Sequence, residues 1–296
     1  MTSGTGVRLL QNLLPKDLLS AAMYRLARSE RAWLVRSLIR WFARTYRVEL
    51  ADAEHAELGH YPTFNAFFTR ALRAGARAVA AGDDTVIAPC DGTVTELGAL
   101  DGETLLQAKG RTYSLAELLA ERGDAVAALE GGSYCTIYLA PRDYHRVHAP
   151  LPAALTRTRY VPGRRFSVSR ATAAAIDRIF CRNERVICWF DTAAGPMVVV
   201  LVGALNVSSI STFNRGEIAS GAPRQWQESA RPRVERGSEI GRFNLGSTVI
   251  VLFARGAIRW DASVASGMTV AMGAKLGRVE RRANDQQGPG PNGASA

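Results

Sequence analysis

A chain of 296 residues with 47% apolar content can bury a large core in one or two domains, which excludes an intrinsically disordered protein. Its 37 Lys/Arg against 27 Asp/Glu leave a net charge of +10, which points to an anionic partner: nucleic acid, a membrane surface or a phosphate-bearing substrate. Cys90, Cys135, Cys181 and Cys188 form no C-x-x-C pair and have no clustered histidines beside them, so neither a zinc site nor a disulfide framework is expected and a reducing compartment is the simplest reading.

The chain opens on MTSGTGVRLLQNLLPKDLL, where Gln, Asn, Pro, Lys and Asp break the apolar run, so no signal peptide is read there. No run of about 18 apolar residues occurs, and a spanning helix is not expected. Residues 1–50 carry nine basic residues against three acidic ones, more than half of the excess charge. On a helix, residues 33–47 place Leu34, Val35, Leu38, Ile39, Trp41, Phe42 and Tyr46 on one side and Arg36, Arg40, Arg44 and Arg47 on the other. Trp33 is the misfit, on the basic side. A basic amphipathic helix with aromatics reads as a membrane-surface element; the plainer reading is a helix packed on the domain with a solvated arginine face. No helix-turn-helix, zinc-finger or RNA-binding signature accompanies the charge, so nucleic acid is not the expected partner.

After residue 60 the texture changes. TFNAFFTRAL (63–72) predicts a short helix. From about residue 85, strand-like runs alternate with Gly, Pro and Asp: TVIAPCDGTVTELG, TLLQAKG, YCTIYLAP, RVICWFDT, PMVVVLVGALNV and STVIVLF. The segments around 114–121 and 170–180 read as helical. The pattern is α+β, a basic helical N-terminal segment (1–60) followed by a β-rich domain (61–282). The tail 283–296, rich in Gly, Pro and polar residues, is expected to be disordered.

Three places carry candidate chemistry. Two of the four histidines, His145 and His148, lie three apart in APRDYHRVHAP (140–150). On a strand they would face opposite ways; on a turn they could converge. Asp91, in IAPCDGTVTELG (87–98), ends a strand just before Gly92; an Asp-Gly pair is commonly a turn, but such an aspartate can also orient a histidine. Ser247 follows Gly246 at the lip of the STVIVLF strand, where a turn is the plain reading. Asp91, His148 and Ser247 fit the composition of a serine-hydrolase triad, yet no G-x-S-x-G elbow exists and Ser247 leads into a strand, not a helix.

Taken together, FNAFFTRALR (64–73), PCDGTV (89–94), LQAKG (106–110), YLAPRDYHRVHAP (138–150), YVPGRRFSV (160–168), FCRNERVICWFDT (180–192), GALNVSSI (203–210) and GSEIGRFNLGSTVIVLF (237–253) resemble, in order, the phosphatidylserine decarboxylase proenzymes. The resemblance runs from about residue 60 to 280, and L-G-S-T with Y-H-R-V-H is highly specific as a set. Cys90 departs from the small residue, such as alanine, expected before the Asp-Gly pair.

The resemblance implies self-cleavage between Gly246 and Ser247. The Ser247 hydroxyl attacks the Gly246 carbonyl, the acyl group shifts from nitrogen to oxygen, the ester eliminates, and the dehydroalanine hydrolyses to a pyruvoyl group and ammonia. His148 oriented by Asp91 is the expected base. The products are a large fragment (1–246) and a small one (247–296) that form a heterodimer, with homodimers of that unit expected from the family. A pyruvoyl ketone condenses with the serine amine of phosphatidylserine and takes up the electrons of the broken C–C bond, as pyridoxal phosphate does elsewhere. No metal is called for. His145 is the candidate for substrate contact, at the headgroup phosphate or as proton donor, and Ser167 for a further polar contact. A diacyl lipid stays in its bilayer, at about 0.8 kcal/mol per buried CH₂, so a peripheral enzyme at the cytoplasmic face, docked on anionic lipid, is expected. Two rivals remain: a lipid-directed serine hydrolase using Asp91, His148 and Ser247 without cleavage, and a non-enzymatic peripheral lipid-binding protein.

Overall fold

The computed structural model describes residues 16–280 apart from 108–109, 205–208, 219–220, 222 and 245–246. Gly246 and the tail from residue 283 therefore lie outside the described residues. The helices are α1 Lys16–Ala27, α2 Ala32–Tyr46, α3 Phe64–Phe68, α4 Leu115–Leu119, α5 Asp124–Ala127, α6 Arg170–Ala173 and α7 Ile179–Arg182. The strands are β1 Thr85–Ile87, β2 Gly92–Ala99, β3 Thr104–Leu106, β4 Thr112–Ser114, β5 Ser133–Leu139, β6 Arg146–His148, β7 Ala153–Val161, β8 Arg185–Thr192, β9 Gly195–Gly203, β10 Ser209–Thr212, β11 Gly216–Ile218, β12 Arg224–Gln227, β13 Arg233–Val234, β14 Glu239–Asn244, β15 Ser247–Phe253, β16 Ile258–Trp260, β17 Thr269–Val270 and β18 Lys275–Val279. The expected α+β character holds, weighted strongly to β, and the region read as helical around 170–180 divides into two single-turn helices.

The main sheet is antiparallel and runs β12-β7-β8-β9-β15-β5-β2-β17, with β13 also on β7. Its centre is β15, paired along its whole length with β9 on one side and β5 on the other. Every residue of β15 is buried. That is why its sequence is a continuous β-branched and apolar run: a strand covered on both faces has no polar side to alternate with. Strand β7 shows the opposite pattern, with Thr and Arg interleaved among buried Ala, Leu and Tyr. A second sheet, β11-β10-β14-β6, carries the chain into β15 through β14.

The N-terminal helices pack on α3 through Val35, Ile39, Phe42, Tyr61, Phe64, Phe67 and Phe68, a cluster that draws on both sides of the boundary expected at residue 60. Thr63 caps α3 by accepting from the Ala66 amide at 3.0 Å. Phe42 meets Phe64 edge-on at 5.0 Å and Phe68 at 5.9 Å. Only part of the apolar side expected for α2 is covered. Trp41 is 57% exposed and Trp33 70%, so Trp41 turns outward with Trp33 rather than inward with Phe42. The two indoles lie eight residues apart, two turns along one stripe.

Candidate active site

Ser247 is the first residue of β15, opposite Leu139 of β5 and Gly203 of β9. It is 1% exposed, and its Oγ has no hydrogen-bond partner among the described residues; the same holds for Thr248 Oγ1. The site forms where β5, β9 and β15 leave the main sheet. Strand β9 leads toward β10, β5 leads into the segment bearing both histidines, and β14 arrives from the second sheet. The Gly203 carbonyl accepts from Asn183 Nδ2 at 2.9 Å. Asn183 also clamps Phe166, donating to its carbonyl at 2.8 Å and accepting from its amide at 3.0 Å. The loop bearing Ser167 is thereby tied to the end of the sheet beside Ser247. Gly163 permits that approach, since a Cβ there would lie 2.5 Å from the Asn183 carbonyl carbon. Ser167 itself is half-buried, and its Oγ accepts from the Ser169 amide at 3.4 Å.

His145 lies just before β6, wholly buried, its ring stacked on Phe68 at 4.0 Å. Neither ring nitrogen has a hydrogen-bond partner among the described residues. Burial foremost, and then the nearby Arg70 guanidinium, push its pKa down to about 3 against the opposing pull of the Pro141 and Ala140 backbone, which lies beside the ring outside good hydrogen-bond geometry, so the imidazole is neutral. Its carbonyl accepts from the Phe243 amide at 3.1 Å, four residues before Ser247, a span of at most about 14 Å of chain.

His148 ends β6. Its Nδ1 lies 2.7 Å from the Gly237 carbonyl, which can only accept, so Nδ1 carries the proton. Nε2 is left as the acceptor for the Tyr144 hydroxyl at 3.0 Å. Burial lowers this pKa too, while the Gly237 carbonyl and the charges of Glu239 and Asp91 oppose the shift. In the ladder His148 faces Glu239, eight residues before Ser247, so His145 is bonded to β14 at a point nearer the Gly246–Ser247 bond than His148 is.

Asp91 does not hydrogen-bond His148. Its carboxylate is gripped by Arg77, through Nε at 3.2 Å and a terminal nitrogen at 2.7 Å, and its Oδ1 accepts from the Met272 amide at 2.7 Å. Arg77 also pairs with Asp52. Asp91 acts on His148 through space, while the His148 amide donates to the Pro89 carbonyl at 2.7 Å, two residues from Asp91. Gly92 is not a turn residue: it starts β2, where a Cβ would meet the Tyr138 carbonyl oxygen at 2.4 Å. Thr93 pairs with Tyr138, which pairs with Thr248, so Asp91 and Ser247 flank β5 at the same end, about two strand spacings or 10 Å apart. Cys90, next to Asp91, is fully buried, which pushes its thiol pKa up.

The sequence reading missed Tyr144, Arg77, Arg70 and Asn183. All but Arg77 stood inside motifs already singled out, but their partners are distant in sequence. Asp91, His145, His148 and Ser247 converge on one end of the sheet, but the continuous Asp–His–Ser relay that a serine hydrolase needs is not formed.

Ser247 Oγ, Thr248 Oγ1 and both His145 ring nitrogens, buried and without hydrogen-bond partners among the described residues, mark this end of the sheet as the candidate active site. The comparison with known proteins agrees. A family model described as phosphatidylserine decarboxylase matches residues 64–278, and one described as PSD matches residues 8–47. The chain is 49% identical to the phosphatidylserine decarboxylase proenzyme of Methylococcus capsulatus, covering 90% of this chain and 94% of that protein. It is 44% identical to the proenzyme of the same name from Ectopseudomonas mendocina (92% and 97% covered) and 45% identical to that from Pseudomonas aeruginosa (89% and 93%). The chain belongs to the phosphatidylserine decarboxylase family, and it is a decarboxylase, a lyase made as a proenzyme.

Proposed function

We propose that the chain cuts itself between Gly246 and Ser247, and that the pyruvoyl group so formed at position 247 serves the decarboxylation of phosphatidylserine to phosphatidylethanolamine at a membrane surface. The carrying observation is the Ser247 hydroxyl: sealed from water, without a hydrogen-bond partner among the described residues, and at the mouth of the central strand. A hydroxyl in that position is free to turn toward the carbonyl of the preceding residue. Attack requires a neutral base, and both imidazoles are held neutral by burial. His148, with Nδ1 committed to Gly237, offers its Nε2 lone pair through Tyr144; Asp91 favours the proton's arrival electrostatically. His145 serves the substrate side. Once formed, the ketone supplies the electron sink for the departing carboxylate. The chain's own residues exclude water, hold the headgroup and manage protons around it.

The membrane role rests on α2. Trp33 and Trp41 face out together, with Arg36, Arg40 and Arg44 exposed around them. Among the described residues no helix is long and apolar enough to cross a membrane. A surface of this kind binds anionic lipid peripherally, at about 1 kcal/mol per near-surface Lys/Arg. Intact-mass spectrometry tests the cleavage. Wild-type protein is expected as two species, the smaller blocked by a keto group, and Ser247→Ala as one inactive chain of 32.0 kDa. Active wild type with residues 246 and 247 still joined would refute the mechanism.

A further inference from the structure

Arg77 lies between α3 and β1 and meets two carboxylates. On Asp91 its grip is two-pronged: Nε donates to Oδ1 at 3.2 Å and a terminal nitrogen donates to Oδ2 at 2.7 Å. Its other terminal nitrogen donates to Asp52 and, at 3.1 Å, to the Ala76 carbonyl. The Met272 amide adds a third bond to Asp91, on Oδ1 at 2.7 Å. The Arg77 and Asp91 side chains are only 17% and 14% exposed, whereas Asp52 is 44% exposed. The backbone also holds the pair together. Gly273 donates to the Ala88 carbonyl at 3.0 Å and accepts from the Ala80 amide at 2.9 Å, so one residue joins the segment after Arg77 to the segment before Asp91. Its φ is +87°, and a Cβ there would lie 2.8 Å from the Ala78 carbonyl oxygen, so the approach requires glycine.

These contacts limit what Asp91 can do. Both of its oxygens are taken by Arg77 and the Met272 amide, and neither is hydrogen-bonded to His148. Its influence on that imidazole is therefore electrostatic and depends on where its charge sits. A paired guanidinium–carboxylate contact fixes direction as well as distance, which the point charge of a lysine does not. We propose that Arg77 is a positioning residue for self-cleavage, acting through Asp91 by holding that carboxylate where its charge bears on His148. This rests on the self-cleavage reading above. A purely structural bridge would depend on Asp52 as much as on Asp91, and this separates the two roles.

The test follows newly made full-length chain in cell-free translation, reading the rate of two-fragment appearance on denaturing gels, with chases long enough to give a rate for slow variants. Arg77→Gln is expected to slow processing by about tenfold or more, and Arg77→Lys to recover part of the rate. Asp52→Asn, which breaks the other ion pair of the same arginine, should stay within about threefold of wild type. Because Arg77 acts through Asp91, Arg77→Gln/Asp91→Asn should be no slower than Asp91→Asn alone. Effects that multiply in the double variant would overturn the proposal. So would wild-type processing in Arg77→Gln or in Asp91→Asn, or equal slowing by Asp52→Asn and Arg77→Gln. If Arg77→Gln does not fold, Arg77→Lys replaces it in the same comparison. Active wild-type protein with residues 246 and 247 still joined would instead sink the self-cleavage reading itself.

Discussion

A buried hydroxyl without a partner costs about 1–3 kcal/mol, and Ser247 is one of several such groups at this end of the sheet. His145, with neither ring nitrogen hydrogen-bonded among the described residues, and Arg70, with one terminal nitrogen in the same position, are others. A fold retains such groups where chemistry or a ligand completes them. The roles of the two histidines follow from their partners. His148 has its tautomer set by Gly237, as a base requires, whereas His145 stacks on Phe68 with the Pro141 and Ala140 backbone beside its ring. His148→Ala is therefore expected to slow self-cleavage by about 10²–10⁴-fold, measured as the rate of two-fragment appearance on denaturing gels, while His145→Ala should process and then fail to decarboxylate. If His148→Ala matures normally and His145→Ala does not, the base is His145, whose carbonyl is bonded to Phe243, four residues before Ser247. Asp91 was legible as a strand-end carboxylate. Its attachment to Arg77 was not, because the two lie in separate segments and nothing in either spacing marks the pair.

At the scale of the element, α2 shows why periodicity reads a face but not its neighbour. The stripe of apolar positions is real, yet α3 is only five residues long and covers just the arc around Val35, Ile39 and Phe42. The uncovered arc carries Trp41, and Trp33, the misfit of the helical projection, joins it there. Burying an indole in the headgroup layer and surrounding it with arginines suits an anionic leaflet. Trp33→Ala/Trp41→Ala should lower the affinity for phosphatidylglycerol-containing vesicles at least tenfold in sedimentation assays, leaving the melting temperature within a few degrees because both side chains are exposed. Undiminished vesicle binding would remove α2 from the docking surface. The same aromatic cluster reaches the candidate active site, since Phe42 touches Phe68 and Phe68 stacks on His145.

For the whole molecule, the position of the expected cut is decisive. A break between 246 and 247 frees the end of β15 but leaves the strand clamped between β5 and β9 over seven residue pairs on each side. The two fragments should thus elute as one species in size-exclusion chromatography and separate only in denaturant; spontaneous separation in buffer would contradict this placement of β15. The small fragment also contributes β17 and β18, each paired with a strand from before the cut.

The sequence alone determined the β-rich core, its central strands and the cluster of motifs that name the family, because continuous apolar runs and short catalytic signatures are local properties. It also located Asp91, His145, His148 and Ser247. Only the tertiary structure decided which groups meet: Asp91 on Arg77, His148 on Tyr144 and Gly237, Asn183 between the Ser167 loop and Gly203, and Arg70 left with an open donor. Those pairings join segments far apart in the chain, and the burial that strips each group of water is set by the packed fold rather than by its neighbours in sequence.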